Sequence, residues 1–129
     1  MLFHSFSSQE ERRAFGGGDF IELAFCRQPR GTDPETIVSY CDFWQEDSLY
    51  IYGDDTEAFS DAYGKIITGG LYGNLRTGPV DLCGINWFST EQTEKIIDKI
   101  RKEKPKDFEY LLSWLEAGKE YNGFYILGL

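Results

Sequence analysis

An α+β fold follows from three features of the sequence: one domain with a mainly antiparallel sheet of about five strands, packed by about four helices. Short alternating apolar runs cluster before Gly53 and are joined by turns, which suits hairpins better than parallel crossovers. Two helical patterns then follow one another directly between the last two strands. No internal repeat, linker or low-complexity tract divides the 129 residues, so residues 1–129 read as one unit able to bury roughly two thirds of its unfolded surface.

Ser7 or Ser8 can cap a first helix with Glu10 and Glu11 in its opening turn and Arg12 and Arg13 near its close, which Gly16, Gly17 and Gly18 end. The triple glycine is not a phosphate loop, because no Lys-Ser or Lys-Thr follows and a strand comes next. That strand, Asp19 to Arg27, is nearly apolar on both faces and so reads as central and covered on both sides. Gln28 to Pro34 is a loop, though Asp33-Pro34-Glu35 can open a helical turn. Ser39 to Trp44 and Leu49 to Tyr52 alternate as two arms of a hairpin, one face aliphatic and sulfur-bearing, the other aromatic.

Gly53 breaks the second arm, and Asp54 with Glu57 resembles a capping box. The helix behind it carries Ala58, Phe59, Ala62, Tyr63, Ile66 and Ile67 as one stripe, and Gly69-Gly70 stops it. Leu71 to Pro79 reads as a glycine-rich surface loop, and Leu82 to Phe88 as a strand. Ser89 or Thr90 caps an outer helix running to about Lys102, with Ile96, Ile97 and Ile100 as its stripe. After Pro105, Phe108, Leu111, Leu112 and Leu115 face the core from a last helix closed by Gly118, and Tyr121 to Leu127 completes the sheet.

Charge narrows the function. The net charge of -9 and a pI near 4.5 disfavour direct binding to nucleic acid or anionic lipid and favour a cationic partner. Mean hydropathy is -0.42, no apolar run approaches membrane length, and the N-terminus lacks a secretory pattern, so a cytoplasmic protein is expected. Cys26, Cys41 and Cys83 have no zinc or redox spacing and fall in apolar strand patterns, where free buried thiols are expected.

Catalytic signals are weak. His4 is the only histidine and, three residues from the terminus, reads as a frayed or surface side chain. Asp42, Glu46 and Asp47 can supply a carboxylate pair for glycoside hydrolysis, and Asp54, Asp55 and Glu57 a cation site. The latter three are also explained by starting a helix. The sequence thus implies no catalytic residue, metal or cofactor.

A protein interface remains. From Gly31 to Gly64 there are nine carboxylates and no Lys, Arg or His. Exposed ion pairs contribute only about 0–1 kcal/mol each, so anchors are needed beside them. Tyr40, Trp44, Tyr50, Tyr52 and Tyr72 lie among these acids. Charge and aromatic placement together select Asp42, Trp44, Glu46, Asp47, Tyr50, Tyr52, Asp61 and Tyr72 as the candidate partner-binding set.

The order SYCDFWQEDSLYIYGDDTEAFSDAYGKI, a glycine loop, GINWFS and a terminal NGFYILGL resembles immunity proteins of bacterial contact-dependent growth inhibition systems. The resemblance implies a small cytoplasmic, non-enzymatic protein that binds the C-terminal toxin domain of a delivered effector, often a basic nuclease, and blocks it. A small carboxylate-dependent hydrolase or carbohydrate-binding domain is the alternative, and an adaptor for a basic protein a third.

Overall fold

The computed structural model describes residues 1–16, 19–41 and 43–128. Its centre is a six-stranded sheet in the order β2-β1-β6-β5-β3-β4, with every neighbouring pair antiparallel. The strands are β1 (Phe20–Phe25), β2 (Leu49–Tyr52), β3 (Thr68–Tyr72), β4 (Thr77–Pro79), β5 (Ile85–Phe88) and β6 (Phe124–Leu127). Among the described residues, five α-helices pack with them: α1 (Gln9–Gly16), α2 (Pro34–Ser39), α3 (Thr56–Tyr63), α4 (Thr90–Glu103) and α5 (Phe108–Ala117).

Alternation along each strand divides the core into two layers. Ile21, Leu23, Phe25, Leu49, Ile51, Phe88, Phe124 and Ile126 point to one face, where the stripes of α3, α4 and α5 cover them. Ala24, Tyr125 and Leu127 point the other way, toward Ile37 of α2, with Ile85, Trp87 and Cys41 at the margin. All six residues of β1 are buried, as a strand apolar on both faces should be. The α4 stripe of Ile96, Ile97 and Ile100 is also buried, under a helix whose Ser89–Gln92 capping box satisfies its first turn.

Five local expectations need correction. Among the described residues of 39–44 there is no hairpin arm: α2 runs through Ser39, residues 40, 41, 43 and 44 are in no strand, and β2 pairs with β1. Trp44 has φ 62°, a left-handed conformation that ends any extended run. Asp54 caps no α-helix, because a 3-10 turn over Gly53–Asp55 intervenes and leaves Asp55 at the cap without a side-chain bond.

The glycine-rich stretch is the β3–β4 hairpin rather than a loop, and Gly69 and Gly70 lie inside β3. A Cβ at Gly70 would sit 2.8 Å from the Phe88 ring, so the missing side chain makes room for close packing. Of the three thiols, only Cys26 is buried, whereas Cys41 is half-buried and Cys83 exposed.

The N-terminus is the fifth correction. Leu2 and Phe3 are each 2% exposed, and the Leu2 amide donates to Asp107 Oδ2 at 2.9 Å. His4 exchanges two backbone hydrogen bonds of 2.8 Å with Tyr50, laying the segment along the outer edge of β2. Phe3 packs edge-on against Phe59 and Tyr63. Its truncation therefore removes core. Phe3→Ala is expected to cost about 3–5 kcal/mol in urea denaturation, whereas a frayed terminus would give nearly zero.

Candidate functional site

On the second face of the sheet, the described residues between Tyr40 and Ser48 lie over β1 and β2. Its backbone is held at both ends while its rings point outward. At the start, the Tyr40 carbonyl accepts from Gln28 Nε2 at 2.7 Å and from the buried Tyr125 hydroxyl at 3.2 Å. Burial pushes the Tyr125 phenol above its ordinary pKa and keeps it a neutral donor.

At the far end stands Glu22, a carboxylate in the middle of β1 that is only 4% exposed. The Trp44 amide donates to both its oxygens, at 3.0 and 2.8 Å, and the Ser48 hydroxyl donates at 2.6 Å. A longer contact comes from the Gln45 amide at 3.4 Å. A buried carboxylate is tolerated only with such donors. Here Trp44, Gln45 and Ser48 all lie on one loop, so stabilising the charge and fixing the loop are the same interaction. Burial raises the Glu22 pKa, and these hydrogen bonds and the Arg12 charge offset part of that rise.

Side chains then stack outward from Glu22. Tyr50 is only 4% exposed and sits among Phe6, Phe20 and Trp44. Burial, followed by the charge of Glu22, pushes its phenol up to about 12. Arg12 reaches from α1 to place its guanidinium 3.6 Å from the Trp44 ring centroid. Outside these lie the exposed rings of Tyr40 (72%), Phe43 (56%) and Trp44 (43%). Glu46 and Asp47 are exposed next to them.

The expected partner-binding residues are thus only partly gathered. Trp44, Glu46 and Asp47 share the loop. Asp42 lies outside the described residues. Tyr50, expected at the surface, is buried under the loop, and Tyr52 is half-buried against Phe15 and Phe20. Asp47 has a structural role that the sequence hid, an ion pair with Arg27 at 2.5 Å, and its carbonyl accepts the Trp114 indole N–H at 2.7 Å.

Asp61 is exposed on α3, in the opposite layer. Tyr72 is on β3, separated from β2 by β1, β6 and β5, with its hydroxyl donating to the Pro79 carbonyl. Sequence reasoning missed Phe43, Arg12 and Glu22. Only Glu22 gave a signal, as a lone acid in a strand apolar on both faces. His4 is half-buried rather than frayed, and burial, followed by the nearby N-terminal charge, lowers its pKa.

Among the described residues, no three of His, Cys, Asp or Glu are placed to hold a metal ion, and no helix is long and apolar enough to cross a membrane. The chain matches no family model, no curated protein and no solved structure. Its function is therefore read from the site itself.

The raised pKa of Glu22 has a definite sign. The folded protein holds this proton more tightly than the unfolded chain, so Glu22 contributes most below its ordinary value of 4.5, and that contribution falls as pH rises through the folded value. The stability of the wild type relative to Glu22→Gln is expected to grow as pH falls through this window. Chemical denaturation at stepped pH checks it; a constant difference would contradict the assignment.

Proposed function

We propose that this chain is an immunity protein of the contact-dependent growth inhibition kind, which binds the C-terminal toxin domain of a cognate effector and neutralises it. The observation that carries the reading is the clamped loop, with Tyr40, Phe43 and Trp44 exposed beside Glu46. Three large exposed rings on one short loop match the aromatic anchors that dominate protein interfaces. Holding the loop through Glu22 and Tyr40 lowers the entropy lost on docking.

The net charge of -9 supports a basic partner, such as a nuclease domain, since it speeds encounter with a cationic surface. Binding the toxin and covering its active site or substrate groove needs no catalytic group here. On this reading the protein acts in the cytoplasm, where the toxin is delivered.

One observation favours the carboxylate-dependent hydrolase as a second reading. Asp19 and Glu22 line a common cleft of about 220 Å³ with Phe43 and Trp44, and Glu22 has the raised pKa of a general acid. Against it, both Glu22 oxygens accept hydrogen bonds from the loop. Hydrolysis of chromogenic glycosides, abolished by Glu22→Gln with the fold retained, would establish that activity in place of immunity.

Co-expression with the toxin domain encoded beside this gene is expected to restore growth and yield a stoichiometric complex. Persistent arrest with every neighbouring candidate would reject immunity. Within the complex, Trp44→Ala should raise the dissociation rate by about 30-fold or more, equivalent to about 2 kcal/mol. Glu46→Lys should slow association, most at low salt. Asp61→Lys and Tyr72→Ala, away from the loop, should change affinity by less than about twofold. Surface plasmon resonance reads all four, and a reversed ranking would move the interface elsewhere.

A further inference from the structure

A second cleft, of about 360 Å³, opens between α1 and the clamped loop. Phe6, Trp44 and Tyr50 form its aromatic walls, Ser7, Ser8 and Gln9 stand at the start of α1, and Glu46 and Arg12 complete the lining. Arg12 is the unusual member. The residue is only 5% exposed, and its Nε and Nη1 are buried without a hydrogen-bond partner. Among the described residues no ion pair includes it.

A guanidinium stays charged at any physiological pH, and burying it with donors unpaired is costly. The Glu22 charge attracts Arg12, but its oxygens accept from Trp44 and Ser48 and leave Arg12 Nε and Nη1 without an acceptor. The Trp44 ring compensates only for the guanidinium face, by stacking at 3.6 Å. In-plane donors are left over, and their geometry matches an oxyanion.

We propose that this cleft binds a small monocarboxylate with an aromatic or apolar body. The carboxylate would reach the Arg12 donors, the Ser8 hydroxyl would lie near its outer oxygen while Ser7 stays bonded to Glu11, and the body would rest against Phe6 and Tyr50. A single negative charge is favoured over a phosphate dianion because Glu46 lines the same cleft and the molecule carries net charge -9. The site does not depend on the toxin-binding reading, although it shares Trp44 with the loop.

The test is a titration of the full-length protein with benzoate, followed by Trp fluorescence and by the Arg12 Nε–H signal in nitrogen-15 NMR. Inorganic phosphate and benzyl alcohol serve as the other arms. Benzoate should shift the Arg12 signal saturably, with a Kd of about 1 mM or tighter, while benzyl alcohol leaves it unmoved and phosphate binds at least about tenfold more weakly. Arg12→Gln should weaken benzoate binding by about tenfold or more, and Arg12→Lys should recover only part. An unmoved Arg12 signal, equal binding of phosphate or benzyl alcohol, or wild-type binding by folded Arg12→Gln would each overturn the proposal. If Arg12→Gln does not fold, the wild-type titration decides alone.

Discussion

The structure on the second face of the sheet depends on one buried carboxylate. Glu22 sits on β1 where alternation calls for an apolar side chain, and it is stabilised there by donors from residues 44–48. Without them it would be an unpaired buried charge, and without it the loop would lose its inner anchor. Each makes the other tolerable. That mutual dependence also places Trp44 in a left-handed conformation (φ 62°) over Arg12. Two polar groups that are costly to bury are thus brought beneath one exposed ring.

The two faces of the sheet are built on different principles. Beneath α3, α4 and α5 the core is aliphatic and aromatic, and its stripes follow helical and strand periods closely. Those elements were legible because the pattern that buries them is local: Phe59 and Tyr63 of α3, the Ser89 cap with Ile96, Ile97 and Ile100, and the two-sided burial of β1; Ile66 and Ile67, expected on the same helix, are buried in the turn beyond its end at Tyr63. The opposite face has short helices, an irregular loop and a cluster of aromatic rings. Its order comes from contacts distant in sequence, which no local period records.

The misreadings have the same cause. Tyr40, Asp42 and Trp44 alternate with Cys41 and Phe43 like a strand, but β2, the expected partner of that arm, pairs with β1 on one edge and with His4 on the other. The β3–β4 glycines looked like loop punctuation, yet Gly70 is there because the Phe88 ring fills the space above it. Tyr50 and Tyr52 were legible as one aromatic face of a strand. That Phe6, Phe15 and Arg12 would cover that face was not, because α1 gave no sign of where it packs. Of the candidate site, the sequence revealed Trp44, Glu46 and the acidic setting; it hid the pairing of Asp47 with Arg27 and the burial of Tyr50.

On the proposed reading, an acidic molecule with a fixed aromatic loop is suited to recognition: long-range charge would direct a basic partner, and preset rings would hold it. The account stands on the loop being fixed by Glu22 before any partner arrives. Hydrogen exchange at the Trp44 amide tests this most directly. In the free wild-type protein that amide should exchange slowly despite the exposure of its ring, and it should become fast in Glu22→Ala while the β1 and β6 amides stay protected. Rapid exchange at Trp44 in the wild type, with those strands protected, would contradict the account.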